Sequence, residues 1–340
     1  MGGICLKEAM CYERKEGGRV SCFLCRHLCQ ISDGAFGICG MRENREGALY
    51  THAYGEVIAA HIDPIEKKPI FHLLPGTESF SIATIGCNFH CGFCQNWQIS
   101  QVKEAKALGL GSSKMSPDEI VKQARSHGCR SISYTYTEPT IFFEYAYETA
   151  ALAKDKGLRN IFVTNGYITD EALEIIKPHL DAANVDLKAF SDDYYRKVCG
   201  AKLEGVLKSI RRMKELGIWV EITTLVLPGM NDSEEELKKL ASFIAGVGVE
   251  IPWHISRFHP DYKMTDSKAT PITTMEIAER IGKEAGLRYV YLGNLAEEEN
   301  TYCYSCGELL IRRSGFSVLE NRLGNGKCPK CKTPLDGMAL

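Results

Sequence analysis

Between about residue 78 and residue 292 the chain alternates two patterns. Short runs rich in β-branched and aromatic residues, SFSIATIG, SISYTY, NIFVTNG, ANVDLKAF, WVEITTLVLPG, WHISRF and RYVYLG, read as buried strands. Between them lie SPDEIVKQARSHG, TIFFEYAYETAALAKDKG, TDEALEIIKPHL, LEGVLKSIRRMKELG, DSEEELKKLASFIAG and TTMEIAERIGKEAG, which carry the three-to-four-residue apolar repeat of one-sided helices. Ser116, Thr169, Ser233 and Thr273 each precede acidic residues at capping distance, so their hydroxyls are placed to accept first-turn N–H groups. Glycines 128, 157, 217 and 286 stop helices where a positive φ costs little. Strand and helix alternating six times demand a parallel sheet with right-handed crossovers, doubly wound or curled into a barrel. The expected organisation is a Cys-rich metal-binding lead-in over residues 1–77, an α/β body over 78–292 and a small metal-binding module over 293–340.

With 340 residues and 44% apolar content, the chain has material for a substantial core. Its 41 basic and 43 acidic residues give a net charge of −2, and no block of like charge occurs. An electrostatic grip on nucleic acid or an anionic membrane is therefore not expected, and a small-molecule or protein substrate is. No apolar run is long enough for a membrane helix. The opening MGGICLKEAMCYERKEGG lacks the basic-then-apolar order of a signal peptide, and Leu6 stands where myristoylation needs Ser or Thr. A cytoplasmic protein is the expectation.

Fifteen cysteines would suit a disulfide scaffold only in a short secreted chain, and here they are grouped, which points to metal. In GCNFHCGFCQNW, Cys87, Cys91 and Cys94 form a C-x3-C-x2-C run directly after the first strand of the repeat, at the strand end where ligands sit in parallel sheets. Three thiolates on an iron–sulfur cluster leave one iron open to a ligand that is not protein. A zinc site completed by His90 is the alternative. Cys303, Cys306, Cys328 and Cys331 make two C-x2-C knuckles around a hairpin-like RRSGFSVLENRLGNGK, a closed tetrahedral set for zinc, with rubredoxin-like iron as competitor. Cys22, Cys25, Cys29 and Cys39, spaced C-x2-C-x3-C-x9-C, suit zinc or an iron–sulfur cluster, with His27 as a substitute ligand. The single cysteines 5, 11, 129 and 199 read as small buried hydrophobes or incidental thiols.

The run CNFHCGFC resembles the signature of radical S-adenosyl-L-methionine (SAM) enzymes. The ordered stretches DPIEKKPIFHLLPG, CQNWQISQ, TYTEPT, TNGY, VDLKAF, LVLPGMND and WHISRFHPDYKM resemble the radical SAM member of the AmmeMemoRadiSam system over about residues 20–335, and the QNW context also resembles activating enzymes of the pyruvate formate-lyase type. The resemblance implies a partial (β/α)6 radical SAM barrel with small metal-binding amino- and carboxyl-terminal appendages. It makes Cys87, Cys91 and Cys94 the ligands of a 4Fe–4S cluster and puts Phe93 beside the adenine. Glu138, in TEP, stands where the family receives the methionyl amino group, and a helix-starting Glu is its alternative. Asp186 and Lys188 share a strand face because side chains alternate with period two, so they suit the ribose and carboxylate of SAM or a structural ion pair. Asn165 closes the third strand, where Val163 replaces the Asp of activating enzymes. His254 matches a histidine beside the nucleoside, with core packing as its alternative.

What the resemblance implies is an oxidoreductase that cleaves SAM reductively and abstracts hydrogen from a protein or small molecule, supplied by ferredoxin or flavodoxin and accompanied by Memo-like and AMMECR-type partners. Activation of a glycyl-radical enzyme is the alternative within the class. A non-catalytic iron–sulfur and zinc protein serving in binding or electron transfer is the alternative outside it.

Overall fold

A computed structural model describes residues 6–107, 109–295 and 298–340. Nine strands form its main sheet: β1 (Glu56–Pro64), β2 (Glu78–Thr84), β3 (Ser113–Lys114), β4 (Ser131–Tyr134), β5 (Arg159–Thr164), β6 (Ala182–Asp186), β7 (Trp219–Val226), β8 (Trp253–Arg257) and β9 (Val290–Gly293). Their order is β9-β8-β7-β6-β5-β4-β2-β1-β3, parallel from β9 to β2, with β1 antiparallel on β2 and β3 antiparallel on β1. Among the described residues the two ends of this order do not pair, so the fold is a partial barrel. Six helices cross between the parallel strands: α1 (Pro117–Ser126), α2 (Phe143–Asp155), α3 (Asp170–Ile176), α4 (Leu203–Glu215), α5 (Glu234–Val247) and α6 (Ile272–Glu284). The strands are buried along nearly their whole length because both faces are covered, even where Ser, Thr or Asn interrupts the apolar residues.

Local signals set the helix ends. Ser116 and Glu119 cap α1 reciprocally, and Thr169 and Ser233 accept from the third backbone N–H of α3 and α5. Glycines 128, 157, 217 and 286 all take positive φ. Thr273 does not cap α6. Pro271 occupies that position with φ −59°, and its ring pre-sets the entry angle with no side-chain bond, leaving Thr273 inside the first turn.

The concave face of the sheet is filled by the chain itself. Asn184 Nδ2 donates to the Pro69 carbonyl at 2.7 Å, and Glu221 accepts the Phe71 and His72 N–H groups at 3.0 and 2.8 Å. Residues 65–74 thus plug the barrel below the carboxyl ends of its strands. Two three-stranded sheets precede this plug, one of Lys7–Glu8, Arg42–Arg45 and Ala48–Thr51, the other of Tyr12–Arg14, Val20–Cys22 and Gln30–Ile31. They share the barrel's apolar core and are tied to it by the buried Arg42–Glu144 ion pair and by the Arg26 N–H, which donates to the Tyr167 carbonyl at 3.0 Å. The tail pairs Leu309–Ser314 with Ser317–Asn321 as a hairpin and packs on Phe71, Tyr289 and Tyr291. Arg313, wholly buried, holds that junction by donating to Thr301 Oγ1 at 2.7 Å and to the Phe71 carbonyl at 3.0 Å while lying over the Phe71 ring. Among the described residues no helix is long and apolar enough to cross a membrane.

Candidate active site at the carboxyl ends of the strands

β2 ends at Thr84, and the chain turns through Gly86 into the three-cysteine loop. Gly86 has φ +109°, and a Cβ there would meet Met41 Cγ at 2.8 Å, so the loop starts pressed against the amino-terminal module. Cys91 is buried, while Cys87 and Cys94 are partly exposed. N–H and O–H groups approach the sulfurs: the Phe89 N–H donates to Cys87 Sγ at 3.3 Å, Asn165 Nδ2 lies 3.8 Å from the same sulfur, and Ser100 Oγ lies 3.2 Å from Cys94 Sγ. Asn165 Nδ2 also donates to Asn88 Oδ1 at 2.7 Å, stitching the end of β5 to the loop.

Asp186 and Lys188 do lie on one side, paired at 2.8 Å at the end of β6. The Lys188 ammonium stands over the Phe93 ring at 5.6 Å. Burial alone would lower the Lys188 ammonium, but the charges of Asp186 and Cys91 outweigh it and hold it protonated. Cys199 is wholly buried, as expected of a core thiol, and a hydrogen bond also links it to Cys91. That bond pulls the Cys91 thiol below its ordinary range despite burial, with Lys188 assisting. The turn at residues 195–199 that carries Cys199 is fastened by the His90 N–H, which donates to the Cys199 carbonyl at 2.9 Å. Nothing in the spacing of a lone cysteine 105 positions after Cys94 could have announced this contact, because it is made by the β6–α4 connection folding back. Cys11 and Cys129 are buried as expected, and Cys5 lies outside the described residues.

Two expected ligand contacts are spoken for by other groups. Glu138 is buried, and its carboxylate accepts from the Thr140 N–H at 3.0 Å, from Thr140 Oγ1 at 2.5 Å, from Thr164 Oγ1 at 2.7 Å and from the Asn165 N–H at 2.8 Å. It starts the short helical turn Pro139–Phe142 and braces β4 to β5, so its geometry is that of a support for Asn165 and not of a free acceptor for an ammonium group. His254 is the second residue of β8, near the strand's amino end and low in the concave face. Its Nε2 lies 2.6 Å from Glu221 Oε2, and its ring stacks on Tyr291 and meets the edge of Phe71. The plug covers it, and none of these partners belongs to the cysteine loop.

The donor set fits a cluster and a zwitterionic ligand. No three of Cys87, His90, Cys91 and Cys94 bring ligand atoms within 4.8 Å of one another, whereas Cys303, Cys306, Cys328 and Cys331 all do. Four thiolates ~2.3 Å from one ion sit ~3.8 Å apart, so the wider loop suits several irons and not one. The tail matches the single-ion distance, with Cys303 Sγ 3.6 Å from Cys331 Sγ and Cys306 Sγ 3.7 Å from Cys328 Sγ. Burial and the Glu138 charge push the Cys87 thiol up, so metal binding there displaces a proton. Asn88 Nδ2 is buried without a partner beside the loop, a donor left for a ligand.

The radical SAM superfamily profile matches residues 81–241. The chain is 45% identical over 336 residues to the uncharacterized protein MJ0808 of Methanocaldococcus jannaschii, covering 97% of this chain and 99% of that one. It is 25% identical over 221 residues to a pyruvate formate-lyase-activating enzyme of Clostridium pasteurianum, covering 58% of this chain and 87% of the other. Among solved structures, a radical SAM methyltransferase from Sphaerobacter thermophilus shares the fold with a TM-score of 0.51 at 16% identity, over 70% of this chain and 71% of that one. The chain belongs to the radical SAM superfamily, and the superfamily's 4Fe–4S cluster and SAM are its cofactors. Enzymes of this family need a low-potential reductant such as ferredoxin or flavodoxin.

Proposed function

We propose that Cys87, Cys91 and Cys94 hold the 4Fe–4S cluster, and that Phe93, Asn165, Asp186 and Lys188 receive SAM. The observation that carries this reading is the convergence of Cys91, Lys188, Asp186 and Phe93 at the carboxyl ends of β2 and β6. When bound, the pair would supply reductive cleavage of SAM and hydrogen-atom abstraction from substrate. The chain's own residues bind and orient. Lys188 offers an ammonium to a carboxylate, Asp186, with its side chain 38% exposed, faces the rim and can accept from a ribose hydroxyl, and Asn165 donates toward Cys87. Glu138 positions Asn165 through the Asn165 N–H. The loop following β8 closes over the cysteines, with the Lys263 N–H donating to the Gly92 carbonyl at 3.2 Å and Tyr262 stacked on Trp97. Such cover excludes water from a radical.

The ordered motifs favour a role like that of the radical SAM member of the AmmeMemoRadiSam system, modifying a substrate together with Memo-like and AMMECR-type partners. The likeness to a pyruvate formate-lyase-activating enzyme supports a second reading, generation of a glycyl radical on a partner enzyme. For the tail we propose zinc on Cys303, Cys306, Cys328 and Cys331.

Anaerobically reconstituted protein given SAM and dithionite is expected to release 5′-deoxyadenosine. Protein with a full, reducible cluster that releases none would reject the enzymatic reading in favour of an electron carrier. A glycyl radical signal appearing on a candidate partner would select the second reading over the first.

A further inference from the structure

Cys22, Cys25, Cys29 and Cys39 contribute nothing to the loop at residues 87–94, yet they line one cavity together. It is bounded also by His27 and Ile141. Local structure brings the four together. The Cys22 N–H donates to the Cys29 carbonyl at 2.9 Å across a strand pair, the Leu28 N–H closes a turn on the Cys25 carbonyl at 3.1 Å, and the Gly40 N–H closes another on the Gly37 carbonyl at 2.9 Å just beside Cys39. A side chain at residue 37 would intrude on this space, with its Cβ 3.3 Å from Ile31 Cδ1 and 3.8 Å from Cys29 Sγ.

The spacing of the sulfurs separates two kinds of metal site. In the tail, four thiols converge within 4.8 Å, as one tetrahedral ion requires. No three of Cys22, Cys25, His27, Cys29 and Cys39 do so, and in this they behave like Cys87, Cys91 and Cys94. His27 is not a free ligand at Nε2, which lies 2.8 Å from the Asn88 carbonyl. A carbonyl only accepts, so that nitrogen carries the proton. The buried Arg42 points Nη1 at Cys22 Sγ from 3.7 Å, a cationic donor facing the thiols.

We propose that Cys22, Cys25, Cys29 and Cys39 ligate a second iron–sulfur cluster, of the 4Fe–4S type and closed by four thiolates. With every iron held by protein, this cluster has no position for SAM, which distinguishes it from the one at residues 87–94. His27 ties the two sites together, since it lines this cavity and bonds the carbonyl of the residue after Cys87.

The test uses the full chain, reconstituted anaerobically with iron and sulfide. A Cys87→Ala/Cys91→Ala/Cys94→Ala variant is expected to keep about four irons and four acid-labile sulfides per chain, with a 4Fe–4S Mössbauer signature, against about twice that in the parent protein. A Cys25→Ser/Cys29→Ser variant is expected to show the same halving, with the loop cluster retained. Either variant decides alone if the other does not fold. A triple-alanine variant that carries no acid-labile sulfide overturns the proposal, whether it then binds a second zinc or leaves the four thiols bare. Failure of SAM cleavage in the parent protein is a separate readout and leaves the iron and sulfide count standing.

Discussion

The loop at residues 87–94 and the tail at residues 303–331 both present cysteines separated by two or three intervening residues, yet the structure finishes them differently. In the tail the four sulfurs already stand at single-ion distances, 3.6 and 3.7 Å in two pairs. Every one of those ligands comes from within 29 consecutive positions, and a hairpin between the knuckles sets their approach. In the loop the sulfurs stay apart, and their surroundings arrive from the ends of other strands: Asn165 after β5, Lys188 after β6, Cys199 beyond it. A closed structural site is thus built from its own neighbourhood. An open site, which must leave room for a ligand, is built by the whole barrel.

Crossing one substitution from each region is the strongest way to break this contrast. Cys94→Ala should abolish the loop's reducible cluster and all SAM cleavage while leaving far-ultraviolet circular dichroism unchanged, because the barrel does not depend on one loop thiol. Cys328→Ser should instead lose one metal equivalent and several kcal/mol of tail stability, a fraction of the ~10–16 kcal/mol that free zinc-finger peptides gain from zinc. SAM cleavage should persist in the soluble Cys328→Ser protein. A Cys328→Ser protein that keeps its tail metal but loses loop iron would show that the two regions are not separable.

How the two regions differ also explains what the sequence made legible. The six βα units, three of four helix caps, the hairpin and the convergence of the four tail cysteines follow from local periodicity and spacing, and the structure has each of them. Side chains whose meaning depends on a distant partner were the ones misplaced. His254 looked like a rim histidine by its neighbours in sequence, but its position at the start of β8 puts it under the plug, beside Glu221. Glu138 kept its place after β4 yet turned inward to Thr164 and Asn165. Cys199 is buried as its sequence context suggested, and its added partnership with Cys91 comes only through the return of the chain after β6. The plug itself, residues 65–74, carries no periodic signal, and its value lies in hydrogen bonds to strands more than a hundred residues on.

The junction between tail and barrel gives a second, smaller test. His72 sits between them, with Nδ1 2.6 Å from the Asp336 carbonyl and Nε2 2.7 Å from the Tyr291 hydroxyl. The carbonyl can only accept, so Nδ1 carries the proton and Nε2 accepts from Tyr291; the ring is neutral. Burial lowers its pKa from 6.5 to about 4, with the Glu221 charge opposing. A histidine whose folded pKa is depressed stabilises the fold above its ordinary pKa, and that contribution is lost as the pH falls toward the folded value. Acidification from 6.5 to 4 should therefore cost about 3 kcal/mol. Hydrogen exchange over residues 301–340 should report it as loosening of the tail. His72→Asn keeps a donor for Asp336 but does not titrate, so its tail should lack this part of the acid response, while any release of metal by thiol protonation remains in both proteins. Equal acid responses in the two would remove His72 from the junction's energetics.

The smallest expected effect sharpens the contrast from the loop's side. Lys188 stands over Phe93 and is paired with Asp186, side chains from two elements meeting only in the folded barrel. If it binds the SAM carboxylate, Lys188→Ala should weaken SAM binding by about 1–3 kcal/mol, the scale of a charge-assisted hydrogen bond. Calorimetric titration of SAM into protein of matched cluster content measures this directly. The tail's metal content and the protein's melting temperature should not follow, because Lys188 touches neither the tail nor the plug in any recorded bond and its side chain is still 12% exposed. Unchanged affinity would mean that the pair with Asp186 is structural, and that the open site draws on fewer strands than its geometry suggests.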